Sequence, residues 1–302
     1  MKTKLFGSLL TIFYLLAAAP LPAQDLGPQF KKMKDGIFVY ADKTGDPNCT
    51  IILTQDGVVL VDSGNNPIDS HAVMKAIKQL TSQPVRYLIN TEPHADHTTG
   101  HFVFSPPAVI VAHHGATESM KKDYNPARLE KLTAASAEMR EASKGYRLIT
   151  PHIEYRDKII LNQGERTFEL YYLKNVHSES DSAIWLPKDR VLFTAAAIGV
   201  KRFNNLRPFV SIPDTLTGIK MMKALNPEIV IPGHGAPGTI KLLDDMERYY
   251  NVLLERVGQM AKEGRSLDEI KKELKISGTE DWEGKDRYPN NIEAAYRAVT
   301  GK

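Results

Sequence analysis

Asn90-Thr91-Glu92-Pro93-His94-Ala95-Asp96-His97-Thr98-Thr99-Gly100-His101 is the stretch around which the chain is organised. It concentrates carboxylates and imidazoles in one short loop. It directly follows residues 85–89, an apolar run that predicts a buried strand. Polar clusters at the carboxyl ends of strands are where α/β proteins usually place their chemistry. We therefore expect this loop to carry the functional site.

The spacing within the loop favours metal binding. Glu92, His94, Asp96 and His97 follow one another at intervals of two, two and one residues. In an extended loop, residues 92 and 94 point the same way, and the next two side chains can turn toward a neighbouring point. One short loop can therefore offer ligands to two adjacent metal ions.

Two distant histidines complete the predicted ligand set. His177 follows a predicted strand in the second half of the chain, and His234 ends the last predicted strand. Nitrogen and oxygen ligands of this kind suit one or two zinc ions, and iron or manganese is also compatible. Any one of these histidines alone could belong to an ordinary surface loop. Four histidines and two carboxylates that all lie at or just after strand ends favour a metal site.

The N-terminus predicts a cleavable signal peptide over residues 1–23. Lys2 and Lys4 precede an apolar run over residues 5–19, and helix breakers and a small residue follow near Ala23. An uncleaved membrane anchor is the alternative, although the run is short for a spanning helix. The mature protein is expected to be periplasmic or secreted, with no membrane contact after cleavage.

Composition limits the remaining possibilities. The 302 residues carry a formal net charge of +3 and include 42% hydrophobic residues, which is enough for a sizeable core. No basic block has interleaved aromatic residues, so nucleic acid is not an expected partner, and a small molecule is the expected substrate. Cys49 is the single cysteine, which excludes an internal disulfide.

The order of predicted elements indicates a layered α/β fold. Residues 24–302 are expected to form a single domain with two pseudo-repeated halves, at about 36–150 and 151–240, and a helical tail over 241–302. Each half runs from hairpins to a helix and then to a strand that ends in histidine, which predicts two packed sheets with helices outside. Strands are predicted at residues 37–40, 49–54, 58–61, 85–89, 109–112, 159–161, 168–173, 183–186, 191–194 and 228–231, and helices at 67–80, 125–142 and 215–225.

The sequence resembles the metallo-β-lactamase superfamily over roughly residues 36–260. The resemblance implies an αββα sandwich of two mixed sheets with outer helices. It also implies a metal site with His94 and His177 on one side and Asp96, His97 and His234 on the other. Periplasmic members associated with quinoprotein and sulfur-oxidation systems are similar in layout. The matching stretches are residues 58–64, 94–97, 111–113, 176–177 with Asp181, 192–194 and 231–235.

Two departures from the family pattern stand out. Glu92 replaces the usual first histidine, and Ala196 replaces the aspartate that bridges both metals. The number of carboxylates is unchanged, so we interpret the pair of changes as a relocation of negative charge rather than decay. A carboxylate on the first ion in place of a neutral imidazole is expected to make that ion a weaker Lewis acid.

The predicted function is exported, metal-dependent hydrolysis of a small ester, lactone or amide, with β-lactams included. A metal ion lowers the pKa of bound water from 15.7 to about 7 and so supplies hydroxide at neutral pH, and Asp96 is the predicted catalytic residue that orients this nucleophile. One alternative is a non-catalytic or accessory metalloprotein of periplasmic cofactor or sulfur metabolism. A mono-iron oxidoreductase of the persulfide type is the other.

Four further residues are expected around the site. Asp62 and Asp181 follow strands or turns beside the predicted ligands and are expected to orient them from behind. His113 ends a strand, and Arg202 lies in an arginine-containing loop after Ala196. These last two are candidates for the substrate pocket, where Arg202 would attract an anionic substrate.

Overall fold

The computed structural model describes residues 25–41 and 47–301. The predicted signal peptide over residues 1–23 therefore lies outside the described residues. Within the described ranges, no helix combines the length and the apolar character that a membrane span requires.

The first sheet is mixed and has seven strands in the order β1-β2-β3-β4-β5-β6-β7. Neighbouring strands from β1 to β4 are antiparallel, and those from β4 to β7 are parallel. Every residue of β4 is buried, as expected for a strand that is covered on both faces. The strands are β1 (Phe30–Lys34), β2 (Ile37–Ala41), β3 (Asn48–Thr54), β4 (Gly57–Val61), β5 (Val85–Ile89), β6 (Val109–His113) and β7 (Ile153–Tyr155).

The second sheet has five strands in the order β12-β11-β10-β9-β8. It is also mixed, because β11 and β12 are parallel while the other neighbours are antiparallel. The strands are β8 (Lys158–Gln163), β9 (Arg166–Tyr172), β10 (Ser182–Leu186), β11 (Val191–Phe193) and β12 (Ile229–Ile231).

The two sheets pack face to face around a shared core. Val59 and Ile89 of the first sheet lie in one buried cluster with Phe168, Leu170 and Ile184 of the second. Alternate residues of the inner strands point outward, where helices cover them, whereas alternate residues of the edge strand β8 are exposed to solvent. This arrangement is the predicted αββα sandwich of two mixed sheets.

The helices form the outer layers. α1 buries Val73 and Ile77 against the first sheet, and α7 buries Ile219 against Trp185 and Val230 of the second. The helices are α1 (Pro67–Leu80), α2 (Ala95–Thr98), α3 (His101–Phe104), α4 (Ala116–Asp123), α5 (Pro126–Ala135), α6 (Ala137–Ala142), α7 (Ile212–Ala224), α8 (Lys241–Lys262), α9 (Leu267–Glu273) and α10 (Tyr288–Thr300). The helical tail is confirmed, including the capping box of Ser266 and Glu269 at the start of α9.

Two predicted helices differ from the observed ones because of serine caps. The single helix predicted over residues 125–142 is two helices, since Ser136 is extended and its side chain accepts a hydrogen bond from Met139 N at 2.9 Å. The helix predicted from residue 215 begins earlier, at Ile212, since Ser211 caps it through Asp214 N at 3.2 Å. A serine oxygen that satisfies a free N–H of the first turn fixes where a helix begins.

The C-terminal tail reaches back to the loop that follows β11. Phe203 N donates to Glu283 O at 3.0 Å, and Glu283 N donates to Lys201 O at 2.9 Å. The Phe203 ring packs at 5.3 Å from Trp282 and 4.8 Å from Tyr288. This contact, which we call the tail clasp (residues 201–203 with 282–288), holds the loop in place beside the predicted site.

Candidate metal centre

The organising loop is held rigidly against the first sheet. Ser63 N and Ser63 Oγ both donate to His97 O, at 3.1 and 2.7 Å. Gly100 packs so closely that a Cβ there would lie 2.4 Å from Ser63 O and 2.1 Å from Ser70 Oγ. Only glycine therefore fits at position 100, and its close approach brings α2, which contains His97 and follows His94, up to the sheet edge.

The structure brings five of the six predicted ligands into two compact groups. Glu92, His94 and His177 form one, and Glu92, His97 and His234 form the other. In each group, one candidate ligand atom per residue lies within 4.8 Å of the others. The loop after β5, the loop before β10 and the end of β12 therefore converge, and Glu92 belongs to both groups.

The Glu92 carboxylate lies between the two pairs of histidines. Its Oε2 contacts His94 Nδ1 and lies 3.4 Å from His177 Nε2, while its Oε1 lies 3.3 Å from His97 Nε2. Ala196 N donates to the same Oε1 at 3.0 Å. The side chain is completely shielded from solvent, so water does not screen the electrostatic interaction between its charge and these neighbours.

This position differs from the one expected from the sequence. Glu92 was expected to serve the first ion only, together with His94 and His177. Its two oxygens instead face different groups. The backbone of Ala196, where the family pattern has its bridging aspartate, donates to Glu92. The relocated carboxylate thus occupies the space between the two groups.

Asp96 lies at the edge of this arrangement. It belongs to neither compact group, but its Oδ2 is 3.6 Å from His234 Nε2 and 3.9 Å from His97 Nε2. Its side chain is 33% exposed and lines the cavity beside the site. Its predicted roles as metal ligand and nucleophile-orienting residue stay predictions. The position would allow the Asp96 carboxylate to contact both a metal ion and a molecule bound in the cavity.

Charges within the site shift several pKa values. Burial alone raises the pKa of Glu92, but the charges of His97 and His177 and the contact with His94 outweigh it and hold that pKa well below its ordinary value. Burial lowers the pKa of His97, but Glu92 and Asp62 reverse this and raise it well above the ordinary value. Burial lowers the pKa of His177 to about 3. Glu92 is therefore ionised at pH 7, whereas His97 favours a proton that a metal ion would have to displace.

Asp62 and Asp181 contact predicted ligands from behind. Asp62 Oδ2 accepts from His97 Nδ1 at 2.9 Å, which directs the opposite ring nitrogen into the site. Asp181 Oδ2 accepts from His177 N at 2.6 Å and from Ser178 N at 2.7 Å. Asp62 thus contacts the ring of His97, whereas Asp181 contacts the main chain of His177, and both orienting roles stay predictions.

A cavity of about 460 Å³ opens onto the site, and Arg202 lines it. His113 does not: its ring stacks on Tyr172 at 3.7 Å, away from this cavity. Arg207 also lines it and donates from Nη1 to His177 O at 2.8 Å. The lining residues are His94, Ala95, Asp96, Asp123, His177, Ala196, Ile198, Gly199, Arg202, Asn204, Asn205, Arg207, His234 and Arg287. Sequence reasoning placed arginines of the 202–207 loop here but missed Arg287 and Asp123.

The donor set fits divalent metal ions. His97 Nε2 faces His234 Nε2 at 3.3 Å, a contact between two basic nitrogens that needs a proton or a cation. The buried Nδ1 of His177 has no hydrogen-bond partner among the described residues. Imidazole nitrogens gathered around a buried carboxylate are the ligands that zinc and similar ions take in proteins.

An αββα sandwich with candidate metal ligands gathered at its strand ends is a hydrolase-like scaffold. The chain belongs to the metallo-beta-lactamase superfamily, whose family model matches residues 42–234. Members of this superfamily are mostly hydrolases.

Individual proteins resemble this chain at low sequence identity. The chain is 24% identical over 202 residues to the 2,4-dinitroanisole O-demethylase subunit alpha of Nocardioides sp. (strain JS1661), a match that covers 66% of this chain and 53% of that protein. The inverting sec-alkylsulfatase Pisa1 from Pseudomonas sp. superposes with a TM-score of 0.71 at 18% identity, covering 90% of this chain and 50% of that one. A metallo-beta-lactamase from Pontibacter korlensis gives a TM-score of 0.60 at 19% identity, covering 74% and 98%. The chain thus spans about half the length of the demethylase subunit and of the alkylsulfatase.

Proposed function

We propose that the protein is an exported, zinc-dependent hydrolase that acts on a small ester, lactone or amide, with β-lactams included. One observation carries the proposal. A buried, ionised carboxylate, Glu92, lies between two pairs of histidines, and three of these histidines, His94, His177 and His234, line a substrate-sized cavity. The superfamily's mostly hydrolytic membership supports the reaction class.

The ligand residues divide between two positions. His94 and His177 would hold one ion and His97 and His234 the other, with one oxygen of Glu92 facing each pair. Ions bound there would lower the pKa of coordinated water and polarise the substrate. Glu92 keeps its charge because the surrounding imidazoles stabilise the carboxylate, and the Ala196 amide fixes its orientation.

Asp96 is the proposed catalytic residue. Its partly exposed carboxylate lines the cavity next to His97 and His234. From there it can accept a hydrogen bond from the attacking water and orient the water toward the substrate, as a general base does. On the side of the cavity opposite Asp96, Arg207 donates a hydrogen bond to the main chain of His177 and so holds that residue in position.

Metal content and turnover test the proposal together. Protein purified without added metal is analysed for zinc, iron and manganese and then assayed with a chromogenic cephalosporin, a lactone series and aryl esters. Two zinc ions with turnover that Asp96→Asn abolishes is the expected result. Absence of turnover at full zinc loading would reject hydrolysis of these substrates. One iron would indicate the mono-iron oxidoreductase, and no metal an accessory role.

Export is a separate part of the proposal and rests on the sequence of residues 1–23. The full chain is expressed in a Gram-negative host and fractionated. Mature protein in the periplasmic fraction, with an N-terminus near Gln24, is the expected result. Intact N-terminal sequence in the cytoplasmic fraction contradicts export.

A further inference from the structure

His234 has a glycine on each side. The loop over residues 232–235 directly follows β12 and reads Pro-Gly-His-Gly. Gly235 has a φ of 89°, in the left-handed region that glycine adopts most readily. Glycine restricts the main chain less than any other residue does. A candidate ligand between two glycines therefore needs contacts from outside its own loop that hold it in one position.

Asn48 supplies such contacts from the other sheet. It is the first residue of β3 and is buried, with 4% of its surface exposed. Its Nδ2 donates to Pro232 O and to Gly235 O, both at 2.8 Å, and its main-chain N donates to Gly233 O at 2.8 Å. Both acceptors of the side chain are carbonyl oxygens, so only the amide nitrogen can face them. One residue of the first sheet thus fixes the main chain on both sides of His234.

The start of β3 also supports His97. Cys49 Sγ donates to Asp62 O at 3.2 Å, and Asp62 Oδ2 accepts from His97 Nδ1 at 2.9 Å. His97 follows a strand of the first sheet, whereas His234 follows a strand of the second, and their Nε2 atoms lie 3.3 Å apart. Two consecutive residues of one strand therefore contact the supports of both histidines and fix them relative to each other.

We propose that Asn48 is a positioning residue for the metal position formed by His97 and His234. The inference rests on the proposed function, because it takes these two histidines to hold an ion. Groups that orient a ligand from behind typically contribute about 10- to 100-fold to metal affinity. The side-chain hydrogen bonds of Asn48 go to the main chain around His234, so their loss should spare the other position, formed by His94 and His177.

Zinc affinity measured one position at a time tests the proposal. The full chain with His177→Ala keeps the position of His97 and His234, and the full chain with His97→Ala keeps the other position. Asn48→Ala should weaken zinc binding about 10- to 100-fold in the first background and leave it unchanged in the second, as measured by competition with a chromophoric chelator. The absorption spectrum of the cobalt-substituted protein should change in the first background only, because displacement of His234 alters the ligand geometry.

Asn291→Ala is the matched control. Asn291 is also a fully buried asparagine, and its Nδ2 also donates to two main-chain oxygens, those of Asn204 at 2.8 Å and Arg287 at 3.0 Å. Neither of these residues is a candidate metal ligand. Both variants should lower the free energy of unfolding in urea, but only Asn48→Ala should weaken zinc binding. Equal weakening by Asn291→Ala would show that the loss follows from stability alone and would overturn the proposal.

A milder variant keeps the proposal testable if Asn48→Ala does not fold. The hydroxyl of Asn48→Ser can donate to only one of the two carbonyl oxygens that the amide bonds. Zinc binding in the His177→Ala background should therefore be weaker than with Asn48 present. Parental zinc affinity in Asn48→Ser, with circular dichroism showing a folded chain, would overturn the positioning role.

Zinc affinity and turnover together distinguish failure of this proposal from failure of the proposed function. Selective weakening by Asn48→Ala in a protein that turns over no ester supports the positioning role and rejects hydrolysis of those substrates. Unchanged zinc affinity in Asn48→Ala, in a protein that does hydrolyse esters, overturns the positioning role and leaves the hydrolase standing. A parent that binds no zinc overturns both.

Discussion

Removal of the charge on Glu92 is the sharpest perturbation of the metal centre. Glu92→Gln keeps the shape of the side chain and leaves the Ala196 N–H an oxygen to bond. It removes a negative charge that lies 3.3 Å from His97 Nε2 and 3.4 Å from His177 Nε2. Both candidate metal positions therefore lose the same carboxylate in one substitution.

The magnitude follows from these distances and from burial. A unit charge 3.3 Å from the opposite charge of a protonated His97 gains about 5 kcal/mol at an effective dielectric constant of about 20. Removing one partner of a buried ionic contact costs about 3 to 5 kcal/mol, because the remaining charges stay desolvated. Glu92→Gln should therefore weaken zinc binding by roughly 10²- to 10⁴-fold, at both positions.

Competition with a chromophoric chelator measures the two zinc affinities, and elemental analysis gives the stoichiometry. Glu255→Gln, at an exposed position on α8, is the control and should leave both affinities unchanged. Two zinc ions bound to Glu92→Gln with parental affinity would refute the role of Glu92 as a ligand. Loss of one ion with the other unaffected would refute the shared position and restore the sequence-based assignment to a single ion.

Three further predictions concern residues near the centre. Ala196→Asp adds a second carboxylate beside Glu92, and a zinc ion relieves the repulsion between the two charges, so the chelator titration should show zinc binding strengthened about tenfold. The double variant Glu92→His/Ala196→Asp restores the parental number of carboxylates and should return to about the parental affinity. Asp62→Asn replaces the ionised acceptor of His97, and zinc affinity should fall about 10- to 100-fold in the same assay; an unchanged affinity would show that Asp62 does not orient His97. Burial lowers the pKa of His101 to about 4, so the unfolded chain binds more protons than the folded one between that pH and the ordinary value of 6.5. The free energy of unfolding in urea should consequently fall as the pH drops through this window, by up to about 3 kcal/mol from this group, and His101→Phe should flatten the dependence.

The sequence was sufficient to predict elements whose pattern is local. β5 and α1 have the expected bounds. For α1 the reason is direct, since Asn66 caps its start and Pro67 occupies its first turn. Convergence of the candidate ligands was predictable for a related reason. Each follows a strand, and the ends of neighbouring strands meet at one edge of a sandwich.

Features that depend on distant contacts were not predictable. The position of Glu92 in the loop does not predict the orientation of its two oxygens. That orientation depends on contacts with His177 and Ala196, which lie in loops next to strands of the second sheet. Arg287 lies in a charged stretch that reads as solvent-exposed helix. It reaches the cavity because Asn291 bonds its main chain to the distant loop at Asn204. Hydrogen bonds between segments so distant in the chain produce no periodic pattern from which they could be predicted.

The tail clasp sets an order in which the site becomes complete during synthesis. A chain made from its N-terminus contains all the candidate ligands once His234 has been added, yet Glu283 and Arg287 follow much later. Nascent domains fold as their residues emerge, so the histidine pairs and Glu92 can assemble while the loop at Phe203 still lacks its partner. The metal centre would then form before the part of the cavity wall that Arg287 contributes. Metal ions could enter the site while it is still open, before the C-terminal tail packs and narrows the cavity.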